Sequence, residues 1–265
     1  MSDPLAVGPA AVALAHRVDG PDDAPAVLLA PSLGTTWEMW DGLAADLSET
    51  YRVVRLDTRG HGRSPAPPGP YTVDALATDV VALADRLSIE RFGFVGLSLG
   101  GAVGQVLCSS YGERVGAAVL CCTVPRFGEP ATWLARAAMV RAEGMEALAE
   151  PTRGRWFTDA FRAEHPRVVD RFIAMLTGVD AEGYAACCEA LAGFDAWPLL
   201  GGIDVPVRVV AGSADPVCPP DACREMAAAV PGADVVVVPD ASHIASAEQP
   251  QAFRRAVTEH LGRHL

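Results

Sequence analysis

The sequence predicts an α/β fold: a mostly parallel sheet flanked by helices, with a helical cap inserted late in the chain. Three observations carry this. Short β-rich runs alternate with helical patterns from about residue 25 onward, the rhythm of a parallel sheet with helices on both faces. The runs are continuously apolar, as strands buried on both faces are. Between residues 124 and 200 the rhythm stops: helix-compatible stretches follow one another with no strand pattern, and a strand-free insert of that length between two sheet strands reads as a cap.

In chain order, residues 11–18 read as an edge strand ahead of a turn-rich segment, and 26–30 as the first buried strand. A weak helical pattern at 37–47 precedes a strand at 53–57. Val73, Leu76, Val80, Leu83 and Leu87 fall three or four residues apart and mark the apolar face of a helix. A strand at 92–95, a helix-compatible stretch at 102–111 and a strand at 117–121 follow. Beyond the insert come strands at 207–211 and 235–238 and a last weak helix at 253–261. The expected organisation is a core of residues 1–123 and 201–265 with a cap of 124–200, and neither a repeat nor a linker divides it. A cap over the C-terminal strand ends covers the place where open α/β sheets bind ligands.

Composition narrows the chemistry. With 265 residues, 50% of them hydrophobic and 20% charged, the chain suits one compact domain and excludes disordered and fibrous classes. The net charge of −12 sets 33 acidic residues against 21 basic ones, all Arg. That balance excludes a nucleic-acid partner, and the absence of Lys excludes Schiff-base, Walker-type and lysine-base chemistry. The seven Cys, at 108, 121, 122, 187, 188, 218 and 223, form no C-x-x-C and have no His at ligand spacing; they read as reduced thiols, with no metal site expected. No targeting or membrane segment is read in the sequence, so a cytoplasmic protein with no membrane partner is expected, a monomer or small homo-oligomer.

The run Gly96-Leu97-Ser98-Leu99-Gly100 follows one predicted strand and precedes a helix-compatible stretch, the context of a G-x-S-x-G nucleophile elbow. A sharp strand-to-helix turn strains the serine backbone, and the glycines let neighbouring main chains approach. Serine needs a base, and the base needs an orienting acid. Asp215 stands directly after the strand at 207–211 and His243 in the loop after 235–238, so Ser98, Asp215 and His243 emerge at one sheet edge in the order serine, acid, histidine. His61 lies in a polar turn, Asp57-Thr58-Arg59-Gly60-His61-Gly62, and reads as structural; His16, His165, His260 and His264 have no motif around them. A tetrahedral oxyanion needs two backbone donors: Leu99 N–H, which follows the nucleophile, and Leu33 N–H, in the loop after the strand at 26–30.

These residues carry a resemblance. From about Leu28 to Leu261 the chain resembles the α/β-hydrolases, and among them the 3-oxoadipate enol-lactonases of aromatic catabolism. The resemblance rests on Ser32-Leu33-Gly34-Thr35-Thr36 with Met39-Trp40-Asp41, on Gly69-Pro70-Tyr71-Thr72, on the elbow, and on the more family-specific cap stretches. Those are Val140-Arg141-Ala142-Glu143-Gly144-Met145, Arg155-Trp156-Phe157-Thr158, and Glu182-Gly183-Tyr184 with Cys187-Cys188. Two positions depart from it: Ile244-Ala245-Ser246-Ala247 after His243, and Ala102 after the elbow glycines.

The resemblance implies a small anionic lactone as substrate, a five-membered enol lactone bearing an acetate arm, opened to 3-oxoadipate through an acyl-enzyme on Ser98 with no cofactor. Its free carboxylate needs a cation, which without Lys means Arg. Trp133 and Arg136, three apart at the start of the cap, share a helix face that would look into the pocket, and Arg126, Arg141 and Arg155 stand in reserve. The competing readings are a carboxylesterase, a C–C bond hydrolase or a cofactor-free perhydrolase on the same scaffold, and more remotely a non-enzymatic ligand-binding receptor or a structural role.

Overall fold

The computed structural model describes residues 11–265; residues 1–10, counted above with the core, lie outside the described residues. Seven strands form one sheet: β1 (His16–Asp19), β2 (Ala26–Ala30), β3 (Arg52–Leu56), β4 (Phe92–Leu97), β5 (Val115–Cys121), β6 (Val207–Gly212) and β7 (Asp234–Val238). Their order is β1-β3-β2-β4-β5-β6-β7, with β1 antiparallel to β3 and every other pair parallel. Strands β2, β4, β5 and β6 are buried along their whole length, which is why they read as unbroken apolar runs, whereas the outer strands β1 and β7 are partly exposed.

The expected edge strand at 11–18 is corrected to His16–Asp19. Register is the reason. His16 pairs with Leu56, the last residue of β3, so residues before His16 run past the end of the partner strand. Two of their backbone N–H groups go to side chains instead: Val12 N–H donates to Asp79 Oδ1 at 2.8 Å and Ala15 N–H to Ser64 Oγ at 2.9 Å.

Helices α1 (Asp41–Leu47), α2 (Val73–Arg86) and α3 (Leu99–Ser110) connect the first strands. The weak pattern at 37–47 is a 3₁₀ turn, Trp37–Trp40, running into α1; Asp57 Oδ1 takes the Trp37 N–H at 2.7 Å and fixes that entry. Thr72 caps α2, its hydroxyl accepting Ala75 N–H at 3.1 Å, and Val73, Leu76, Val80 and Leu83 are buried as the periodicity requires. Helix α3 starts at Leu99, three residues earlier than its sequence pattern.

Between β5 and β6 the chain forms α4 (Pro130–Glu143), α5 (Ala149–Trp156), α6 (Asp159–Glu164), α7 (Pro166–Thr177), α8 (Ala181–Ala192) and α9 (Trp197–Leu200), with no strand among the described residues. Gly183 of α8 lies so close to Gly60 in the loop after β3 that a Cβ on either would strike the other's backbone. Arg171 of α7 pairs with Asp41 of α1. Helix α10 (Pro220–Ala229) joins β6 to β7, and α11 (Ala245–Glu248) and α12 (Pro250–His264) close the chain.

Candidate active site

Ser98 sits at the junction of β4 and α3 with φ 56° and ψ −111°, a left-handed φ that a serine adopts only under constraint. The constraint is crowding. A Cβ on Gly96 would collide with Gly100 O, and one on Gly100 with Ala30 O, so strand and helix close on each other only because both are glycine. Ala102 N–H and Thr123 Oγ1 both donate to Ser98 O, each at 2.9 Å, and lock the turn.

Asp215 and His243 stand on the loops that leave β6 and β7. Ser213 N–H donates to Val238 O at 2.9 Å and Ala214 N–H to Ala241 O at 2.8 Å, which holds the two loops together. His243 Nδ1 lies 2.9 Å from Asp215 Oδ2, with both side chains almost fully buried at 2% and 0% exposed. The other carboxylate oxygen, Oδ1, accepts Val217 N–H at 2.8 Å and Cys218 N–H at 3.1 Å. A carboxylate only accepts, so the His243 proton belongs on Nδ1, which leaves Nε2 a lone pair. Ser98 and His243 open on one cavity of about 210 Å³. An acid-oriented imidazole beside an elbow serine is an arrangement that can run acyl transfer.

The two expected backbone donors are both without a partner: among the described residues, Leu99 N–H and Leu33 N–H donate to no acceptor of the chain. Leu33 lines the cavity with Ser98. Its loop is held on three sides: Thr35 N–H donates to Ser32 O at 3.1 Å, Gly100 N–H to Pro31 O at 3.2 Å, and Gly34 N–H to His61 Nε2 at 3.0 Å. His61 is thus a buried support for this loop. Its Nδ1 faces Arg59 O at 3.2 Å, and burial lowers its pKa from 6.5 to about 4, so it stays neutral.

The cap supplies the opposite wall. Trp133 and Arg136 of α4 and Thr152, Arg155 and Trp156 of α5 line the cavity, with Tyr184 of α8. Arg136 stacks on Trp133, its Cζ 4.7 Å from the ring centre, while Trp133 Nε1 donates to Phe127 O at 2.5 Å. The reserve arginines divide. Arg126 is paired with Asp195, and Arg141 with Glu182 and Glu189, so their charge is spent on the surface. Arg155 has no carboxylate partner among the described residues, and neither has Arg136; Arg155 donates only to Thr152 Oγ1, at 3.3 Å. Burial, together with the nearby Arg136 charge, lowers the Arg155 pKa. Arg155, a reserve in the sequence, lines the cavity, and its place in the Arg155-Trp156-Phe157-Thr158 stretch is the sequence signal for it.

Asp215, Cys218 and His243 also bring three potential ligand atoms within 4.8 Å of one another. Burial pushes the Cys218 thiol well up, and the Asp215 carboxylate is engaged on both oxygens, so Asp215 and His243 form a hydrogen-bonded pair with a neutral thiol behind it. Among the described residues, no helix is long and apolar enough to cross a membrane.

Residues 25–250 match the family model of the alpha/beta hydrolase fold. The chain is 42% identical to 3-oxoadipate enol-lactonase 2 of Acinetobacter baylyi, over 93% of this chain and 92% of that one. Among solved structures it matches an enol-lactonase from Burkholderia xenovorans LB400 with a TM-score of 0.92 and 42% identity, covering 94% and 96% of the two chains. A thermophilic esterase from Thermogutta terrifontis, solved with malate bound, matches with a TM-score of 0.91 and 30% identity over 95% and 94%. The chain therefore belongs to the alpha/beta hydrolase family and, within it, to the enol-lactonase branch of the carboxylic ester hydrolases.

Proposed function

We propose that the protein opens the ring of 3-oxoadipate enol-lactone to give 3-oxoadipate, a step in the catabolism of aromatic compounds by the β-ketoadipate route. The observation that carries this reading is the Trp133–Arg136 stack: a cation without a carboxylate partner among the described residues, on the wall of a small cavity that also holds Ser98 and His243. A neutral ester gives Arg136 nothing to bind, whereas the acetate arm of the lactone does. The likeness to enol-lactonases along almost the whole chain supports the same substrate.

In this reading Ser98 Oγ attacks the lactone carbonyl while His243 Nε2 takes its proton, and Asp215 steadies the imidazolium. Leu33 and Leu99 N–H groups hold the oxyanion. Collapse of the adduct expels the ring oxygen as an enolate that His243 protonates; the enol becomes a ketone, and a His243-activated water cleaves the acyl-enzyme. Water and the chain's own groups suffice.

The test is the ultraviolet decay of the enol-lactone with wild type, Ser98→Ala and Arg136→Ala, beside a neutral ester. Decay in wild type, none with Ser98→Ala, and a loss confined to the lactone with Arg136→Ala support the assignment. A surviving lactone beside a cleaved neutral ester would point to a carboxylesterase, the second reading, which the likeness to the Thermogutta esterase favours.

A further inference from the structure

Two guanidinium groups line the cavity, and a lactone with one carboxylate needs only one of them. Arg136 and Arg155 are not equivalent. Arg136 belongs to α4 and is held by the Trp133 ring. Arg155 lies at the end of α5, and that end is stitched to the histidine loop on both sides of His243: Ser242 Oγ donates to Arg155 O at 3.2 Å, and Ile244 N–H to Trp156 O at 3.1 Å. The buried Glu248 carboxylate adds a second tie. Its Oε1 accepts the N–H and the hydroxyl of Thr158, each at 2.8 Å, and its Oε2 accepts Ser242 N–H. The Arg155 backbone is thereby fixed to the backbone that carries the imidazole.

Ring opening develops negative charge in two places. The carbonyl oxygen is served by backbone donors, and the ring oxygen, the leaving group, must lie beside His243 because His243 protonates it. That is the side on which Arg155 is anchored. The cation also has no carboxylate to neutralise it among the described residues, although it is partly buried and repelled by Arg136. Charge that appears only in the transition state is what such a group stabilises most.

We propose that Arg155 is a catalytic residue for the leaving group: its guanidinium receives the enolate oxygen as the ring C–O bond breaks, while Arg136 holds the carboxylate. The inference rests on the lactonase reading. Ser98 Oγ has by then bonded to the carbonyl carbon and passed its proton to His243. The electron pair of the broken C–O bond stays on the ring oxygen, beside Arg155, until His243 returns the proton. The substrate class that gains from this help has an enolate-type leaving oxygen, as basic as a phenolate, with a carboxylate arm nearby; an ester whose leaving group is as weakly basic as p-nitrophenolate gains less.

Wild type, Arg155→Gln, Arg155→Lys and Arg136→Gln are compared on the enol-lactone and on neutral phenyl, p-chlorophenyl and p-nitrophenyl acetates, with phosphonate labelling of Ser98 confirming an intact site in each. Arg155→Gln is expected to lower kcat on the lactone about 100-fold. Its KM should stay within about threefold, while Arg136→Gln raises KM. On the aryl esters, Arg155→Gln should lose most on phenyl and least on p-nitrophenyl acetate, and Arg155→Lys should recover part of the loss. A raised KM with intact kcat would make Arg155 a second carboxylate clamp and overturn the proposal. An equal loss on all three aryl esters would reduce it to a support of the histidine loop and overturn it as well. If wild type leaves the lactone intact, the lactonase reading fails, and the aryl-ester series still decides on Arg155 by itself.

Discussion

His61 Nε2 accepts the backbone N–H of Gly34 at 3.0 Å, which ties the turn after β3 to the loop that places Leu33 on the wall of the cavity beside Ser98. To accept there, the ring must be neutral with its proton on Nδ1, facing Arg59 O. Burial secures this by lowering the His61 pKa from 6.5 to about 4.

Stability should therefore depend on pH through His61. Between pH 6.5 and 4 the unfolded chain binds a proton that the folded chain does not, so the stabilisation is complete above pH 6.5 and is lost as pH falls towards 4. The loss from this one buried group is about 3 kcal/mol. Urea unfolding of wild type and His61→Gln at pH 7, 5.5 and 4 checks it: the gap between them should narrow as pH falls. A constant gap would show that His61 does not titrate in this way. Turnover by His61→Gln should also fall at pH 7, because Gly34 loses its acceptor.

Behind His61 stands a buried ion pair. Arg59, whose carbonyl faces His61 Nδ1, pairs with Asp79 at 2.6 Å, with both side chains at most 1% exposed. Asp79→Asn leaves an uncompensated guanidinium inside the protein and should cost about 3–5 kcal/mol. It should also lower kcat more than it raises KM, since the disturbance reaches the Leu33 donor through His61 and Gly34. Thermal unfolding with steady-state kinetics measures both, and an unfolding midpoint equal to wild type would refute the first claim.

The elbow glycines make a sharper contrast. Gly100→Ala puts a methyl group into Ala30 O, a backbone atom that cannot move aside, and should destabilise by about 3 kcal/mol or more. Gly42→Ala in the exposed first turn of α1 meets nothing within 4 Å and should stabilise by a few tenths to about 0.8 kcal/mol. Denaturant titration of the two variants tests the sign of each.

The same contrast explains which parts of the molecule were legible in the sequence. Strands β2 and β4 to β6 were plain because burial on both faces demands apolar side chains at every position. Their ends were not: β4 continues through Gly96 and Leu97, and α3 begins immediately after Ser98, because the elbow is a tertiary construction and its glycines read as a turn. Asp215 and His243 could be placed because each lies in the loop that leaves a strand of one sheet. The sorting of arginines was out of reach. The carboxylates that neutralise Arg126 and Arg141 lie 69, 41 and 48 residues away, so only the folded chain shows that Arg136 and Arg155 lack such partners among the described residues.

Asp215→Asn should disable catalysis while keeping the fold. Asp215 Oδ1 accepts two backbone N–H groups, from Val217 and Cys218, so an amide at this position keeps its oxygen there and turns its NH₂ towards His243 Nδ1. Facing a donor, the imidazole must carry its proton on Nε2, where it can no longer accept from Ser98. The expected outcome is a fall in kcat on the order of 10⁴-fold with little change in KM. Loss of the Asp215→Asn chain's thermal unfolding transition would assign the effect to folding instead. Intact thermal unfolding with near wild-type kcat would show that His243 does not depend on Asp215 for its tautomer, and the assignment of Asp215 as the orienting acid would fall.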